Sequence, residues 1–190
     1  MLKVIIASFS ALLSGPPEAV GPGFKWKQSC LTGAIVGTLF SPIYTYQNSL
    51  PYRGELPPAA PLIRGIGLFE LINQKNGFKN AEVVHLRGIN GKDYIVQDGE
   101  SLLPSNVPNS GTPFLVEGFL LKSGRGNFWP TTIKDLHGNN AANQEVMRKA
   151  LALNRDPFGS LLVGMWLFTA PFWMISIFNA IILMRSREGR

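Results

Sequence analysis

The chain has 190 residues, enough for one ordinary domain, with 45% apolar residues and a formal charge of +6 at neutral pH. The positive charge does not mark a nucleic-acid binder. Its lysines and arginines form no stripe interleaved with aromatics, and in the middle of the chain they are spread among acids. The single cysteine, Cys30, excludes an intrachain disulfide framework.

Residues 1–28 open with MLKVIIASFSALLSG, one base and a short apolar run, followed by a Pro/Gly linker. The run is too short to span a bilayer and lacks an A-x-A-like cleavage site. The expectation is an uncleaved segment that lies at the membrane interface or packs on other helices.

Residues 29–47 read as a first transmembrane helix. Small residues recur every fourth position at Ser29, Gly33, Gly37 and Ser41, which lines them up in one groove. Helices in lipid associate through close backbone approach at such residues, so the groove reads as a packing surface. The segment is weakly apolar, with six strong inserters and with Pro42 and Gln47 opposing them. A packed neighbour would favour its insertion.

Residues 48–157 carry most of the polar chemistry. SLPYRGELPPAAP is extended and semi-rigid by composition. Two Asn-Gly signals, Asn76-Gly77 and Asn90-Gly91, then separate GLFELI, FKNAEVVHL and KDYIV. These predict a three-strand meander with tight hairpins. LPSNVPNSGTP is a loop; PFLVEGFLLK and FWPTTI are strands about the turn SGRGN, with Pro130 marking an edge or a bulge. A helix is predicted from Asn140 to Asn154, capped by Asn139 or Asn140, with Val146, Met147, Ala150 and Leu151 on one face.

Residues 158–184, FGSLLVGMWLFTAPFWMISIFNAIILM, contain no charged side chain and thirteen Phe, Leu, Ile or Val residues. Those favour insertion by roughly 4 to 8 kcal/mol before penalties. This is the second predicted span, and its Ser160 and Gly164 repeat the small-residue step. Asn179 and Pro171 read as packing and kink features. A basic tail, 185–190, follows with Arg185, Arg187 and Arg190; with Lys25 and Lys27 before the first span, it predicts that both termini are cytoplasmic. The bases Arg53, Arg148, Lys149 and Arg155 on the other flank weaken that signal.

No catalytic motif survives inspection. Asp135 and His137 make a pair at most, where a metal site needs several ligands. RGIG at Arg64 to Gly67 lacks the third glycine and following helix of a dinucleotide loop. Asp93, Asp98 and Glu100 read as solvated acids, and neither span carries the ionisable side chain of a proton relay.

The sequence therefore predicts two transmembrane helices flanking a roughly five-stranded antiparallel sheet or barrel with one amphipathic helix. The expected location is an inner or plasma membrane. The expected role is a non-enzymatic accessory, regulatory or immunity-type component without a cofactor. Its partners would be membrane lipid and a protein or second copy met through the first span; the β-rich domain would engage a partner. Two other readings stand beside it: a subunit of a membrane enzyme or transporter completed by another chain, and a membrane-anchored sensor.

Overall fold

The structure, a computed structural model, describes residues 2–76, 79–89, 91–108 and 110–188. It consists of two compact units, Met1–Gln47 with Pro157–Arg190, and Asn48–Asp156.

The first unit is helical. An N-terminal helix covers Leu2–Ser14, a short turn of helix Pro17–Val20, a first long helix Phe24–Ser49 and a second long helix Ser160–Glu188. Leu12, Val20, Leu31, Ala180 and Leu183 form one buried cluster, with Phe9, Ile35 and Trp173 against it. Leu31 beside Leu183 puts the start of the first long helix level with the end of the second, so the two run antiparallel. The N-terminal segment packs on these helices, and Gln28 Nε2 donates to Leu13 O at 2.6 Å.

Among the described residues one helix, Ser160–Ser186, is long and apolar enough to cross a membrane. The first long helix has the length, at 26 residues, but not the composition. Gln28, Thr32, Thr38, Thr45 and Gln47 dilute its apolar content. The expected pair of flanking transmembrane helices thus reduces, on these criteria, to one candidate.

The second unit is an open antiparallel sheet of five strands: β1 (Ile63–Asn76), β2 (Lys79–Ile89), β3 (Lys92–Ile95), β4 (Pro113–Leu120) and β5 (Phe128–Lys134). Their spatial order is β3-β2-β1-β4-β5. The first three strands form the meander, and β4 returns over a long connection to lie beside β1, which is Greek-key order. The chain reverses between Asn76 and Lys79, which pair in register; Gly77 of the expected turn lies outside the described residues. It reverses again between Ile89 and Lys92. There Gly91 takes a positive φ of 69°, the angle a tight turn requires, while Asn90 lies outside the described residues.

Strand alternation sets the core. Phe69, Val84, Leu86, Phe114 and Val116 point inward with Phe128, Ile133 and Met147, while Ile66 and Leu115, paired across β1 and β4, stay exposed. Pro130 sits at a bulge: Glu117 pairs with Thr132 and Gly118 with Pro130. A proline cannot donate to the ladder, and the bulge accommodates it. The sheet curls until its two outer strands touch. Val96, just past β3, forms a parallel bridge with Phe128 at the start of β5.

The amphipathic helix covers Gln144–Arg155, and its cap is Asn143, whose Oδ1 accepts from the amides of Glu145 at 3.0 Å and Val146 at 3.3 Å. The predicted caps, Asn139 and Asn140, are used elsewhere. Asn139 belongs to the turn at Asp135 and Asn140 bridges to Lys134. Met147 and Leu151 are buried on the sheet side, whereas Val146 is 50% exposed.

Candidate functional site

The crossing of the two long helices gathers most of the small residues singled out in the sequence. Gly37 marks the closest approach. A Cβ there would overlap Thr169 Cγ2 and lie 3.5 Å from Thr169 Cβ. Glycine is what lets the backbone come so near. One turn earlier the fit relaxes: a Cβ on Gly33 would sit 3.9 Å from Phe172 Cδ1, an ordinary contact. Ser41 is buried, and its Oγ donates to Gly37 O at 2.5 Å.

The other three small residues do not pack. Ser29 is exposed, and a Cβ on Gly164 would meet nothing within 4 Å. Ser160 and Gly164 instead line an open recess of about 610 Å³ together with Gly33, Gly37 and Ser41. The groove therefore performs two tasks: close contact at Gly37 and an apolar hollow beside it.

A polar latch that the sequence reading missed lies one residue from Gly37. In an unbroken helix the carbonyl of Thr38 would accept from the amide of residue 42, but that residue is Pro42 and has no N–H. The indole of Trp166, on the second long helix, donates to Thr38 O at 3.4 Å. One heptad on, Trp173 Nε1 donates to Thr38 Oγ1 at 2.8 Å, while that hydroxyl donates to Ala34 O at 2.8 Å. The sequence signal was present: a proline orphans the carbonyl four residues before it, and two tryptophans seven apart share a helix face. Thr45 Oγ1 donates back to Ser41 O at 3.0 Å, and Asn179 Nδ2 to Ile175 O at 2.9 Å. Among the described residues no buried side-chain nitrogen or oxygen lacks a hydrogen-bond partner.

In the β unit the candidate acids separate. Asp93 is exposed on β3, while Asp98 and Glu100 line a recess of about 430 Å³ with Glu82 and apolar residues such as Val84 and Ile95. Asp98 accepts from the hydroxyl of Tyr52 and, at 3.0 Å, from Gln97 Nε2. Asn127 Nδ2 continues the chain to Gln97 Oε1 at 2.9 Å. Burial, and then the bond to Asp98, push the Tyr52 phenol up to about 12. Arg155 ties the same tyrosine from behind, Nη1 donating to Tyr52 O and Nη2 to Gly54 O, both at 2.8 Å.

Asp135 serves its own turn. It accepts from the amides of His137 at 2.9 Å and Asn139 at 2.8 Å, and from Asn139 Nδ2 at 2.9 Å. Those donors, Asn139 first, hold its carboxyl below the usual aspartate range. Among the described residues no group of three or more His, Cys, Asp or Glu is arranged to hold a metal ion.

No family model matches the chain, and no curated protein or solved structure is significantly similar to it.

Proposed function

We propose that the chain is an integral membrane protein with two spans, a non-enzymatic accessory or regulatory component that packs within a membrane assembly and presents its β unit to a partner. The observation that carries this reading is the uncovered state of the second long helix. Only 28% of its most apolar stretch is buried. A core helix of a water-soluble protein would hide that surface, and an apolar patch of this extent calls for lipid or a partner.

The first long helix fits the same medium despite its composition. Thr38, Ser41 and Thr45 bond to carbonyls of their own helix, so they bring few unsatisfied groups into lipid. Its exposed residues include Val36, Leu39, Phe40 and Ile43, with Trp26 near one end and Tyr44 near the other. Eighteen residue steps of helix take Trp26 to Tyr44, about 27 Å at about 1.5 Å per step. That matches the hydrocarbon thickness at which interfacial aromatics are spaced. Lys25, Lys27 and Arg185 lie at the shared end of the antiparallel pair, which favours a cytoplasmic location for it.

Single cysteines at Ser110 and Ser186, introduced in a Cys30→Ser background and labelled in intact cells, test the layout. The expected result is labelling of position 110 by an impermeant reagent and protection of position 186 until the membrane is opened. Equal labelling of both sinks the two-span reading. Extraction in mild detergent then tests the accessory role, which requires a stable stoichiometric partner or a second copy.

A further inference from the structure

Among the described residues, the outer strands of the sheet meet main chain to main chain at one place. Val96 bridges Phe128, and Gln97 N donates to Phe128 O at 3.0 Å. Side chains extend this seam: Asn127 to Gln97, Gln97 to Asp98, and Tyr52 to Asp98. Tyr52 is the last member, and it does not belong to the sheet. It lies three residues beyond the first long helix, in the turn Leu50–Tyr52. Its ring stands edge-on to Trp129 at 6.0 Å, and its carbonyl is held by Arg155, at the end of the amphipathic helix.

We propose that Tyr52 is a latch that couples the two places where the chain enters and leaves the β unit to the closure of the β3–β5 seam. The connection is short and continuous. Arg155 fixes the backbone of Tyr52, the ring rests on Trp129, and the hydroxyl holds Asp98, which Gln97 joins to the seam. A bond from a hydroxyl to a carboxylate is stronger than a neutral pair, so it is the link that decides whether the seam follows Tyr52. A change at either crossing that shifts Tyr52 would loosen Asp98 and with it the bond from Gln97 to Phe128. The inference is independent of whether the helices lie in a membrane, since every contact it uses is within the β unit.

Hydrogen exchange of the full-length protein in detergent tests it, with the Gln97 amide as reporter and those of Phe69 and Leu86 in β1 and β2 as references. Tyr52→Phe keeps the ring and removes the hydroxyl. It should speed exchange at Gln97 about tenfold or more and leave the references unchanged. Asp98→Gly removes the acceptor at a residue whose φ of 52° glycine tolerates; it should reproduce the effect and add nothing to Tyr52→Phe. Arg155→Gln alters no bond of Gln97, Asp98 or Phe128 directly, yet should also speed Gln97. Unchanged exchange at Gln97 in Tyr52→Phe or in Arg155→Gln overturns the coupling. Equal acceleration at the reference amides overturns it as well, since that pattern is general loosening of the fold.

Discussion

Trp173 reaches across from the second long helix to donate its indole hydrogen to the hydroxyl of Thr38 at 2.8 Å. Thr38 is the point at which both tryptophans of that face converge. Thr38→Val keeps the side chain's shape and leaves the Trp173 indole without its acceptor. The expected cost is about 0.6 to 2 kcal/mol, the range found for such bonds between membrane helices. A double-mutant cycle with Trp173→Phe in detergent checks it, and strict additivity of the two changes would mean that the bond contributes nothing.

The three kinds of position along the helix pair predict a graded series. Gly37→Ile drives a side chain into Thr169 and should destabilise the helical unit by about 1 to 3 kcal/mol. Gly164→Ile projects into the open recess and should leave the melting temperature in detergent near that of the parent. Val36→Ile, on the exposed face, is the control. If Gly37→Ile and Gly164→Ile melt alike, the close approach at Gly37 is wrong.

Tyr52 gives the β unit an alkaline signature. Its phenol is raised from 10.0 to about 12 by burial and by Asp98. Between those values the folded protein keeps a proton that the unfolded chain has lost, so the stability due to this group is complete below about pH 10 and declines as the pH approaches 12. A spectrophotometric titration of phenolate absorbance should show a late phase from Tyr52. Tyr52→Phe should abolish that late phase; its persistence would assign the shift to another tyrosine.

Gly91 occupies a φ of 69° in the reversal between β2 and β3. A β-branched residue is strained at that angle, and Gly91→Val should cost about 1 to 3 kcal/mol. Gly91→Asn, which tolerates the left-handed region, should cost much less. Comparing the two by thermal melts of the full-length protein separates strain from a general intolerance of side chains, because space around this glycine is open.

Local signals accounted for what was legible beforehand. Glycine at position 91, the strand-like runs on either side of it, and Pro130 at an edge or bulge are properties of a few adjacent residues, and the structure has a turn, strands and a bulge there. Strand order was not legible. β4 returns to β1 across a long loop, and that pairing is decided by which inward faces, Phe69 and Phe114 among them, share a core. The helix cap is Asn143 and not Asn139 or Asn140, because Asp135 holds Asn139 in the preceding turn and Asn140 bridges to Lys134. The small-residue groove was visible as a period of four. Its division into a tight contact at Gly37 and a hollow at Gly164 depends on what stands opposite, and only the second helix, with Thr169 facing the one and nothing facing the other, supplies that.

The grip of Arg155 on the carbonyls of Tyr52 and Gly54 has an architectural consequence. It brings residues a hundred positions apart in the chain to a common doorway. A module whose two ends meet in this way can be set into a host loop, or lifted out of it, without spreading the host apart. The β unit therefore has the anatomy of an insert: a short flexible linker joining Leu50 to Pro157 should leave a helical hairpin able to fold by its own contacts, and the excised unit, closed on itself through the same doorway, is suited to circular permutation or to grafting between other helices.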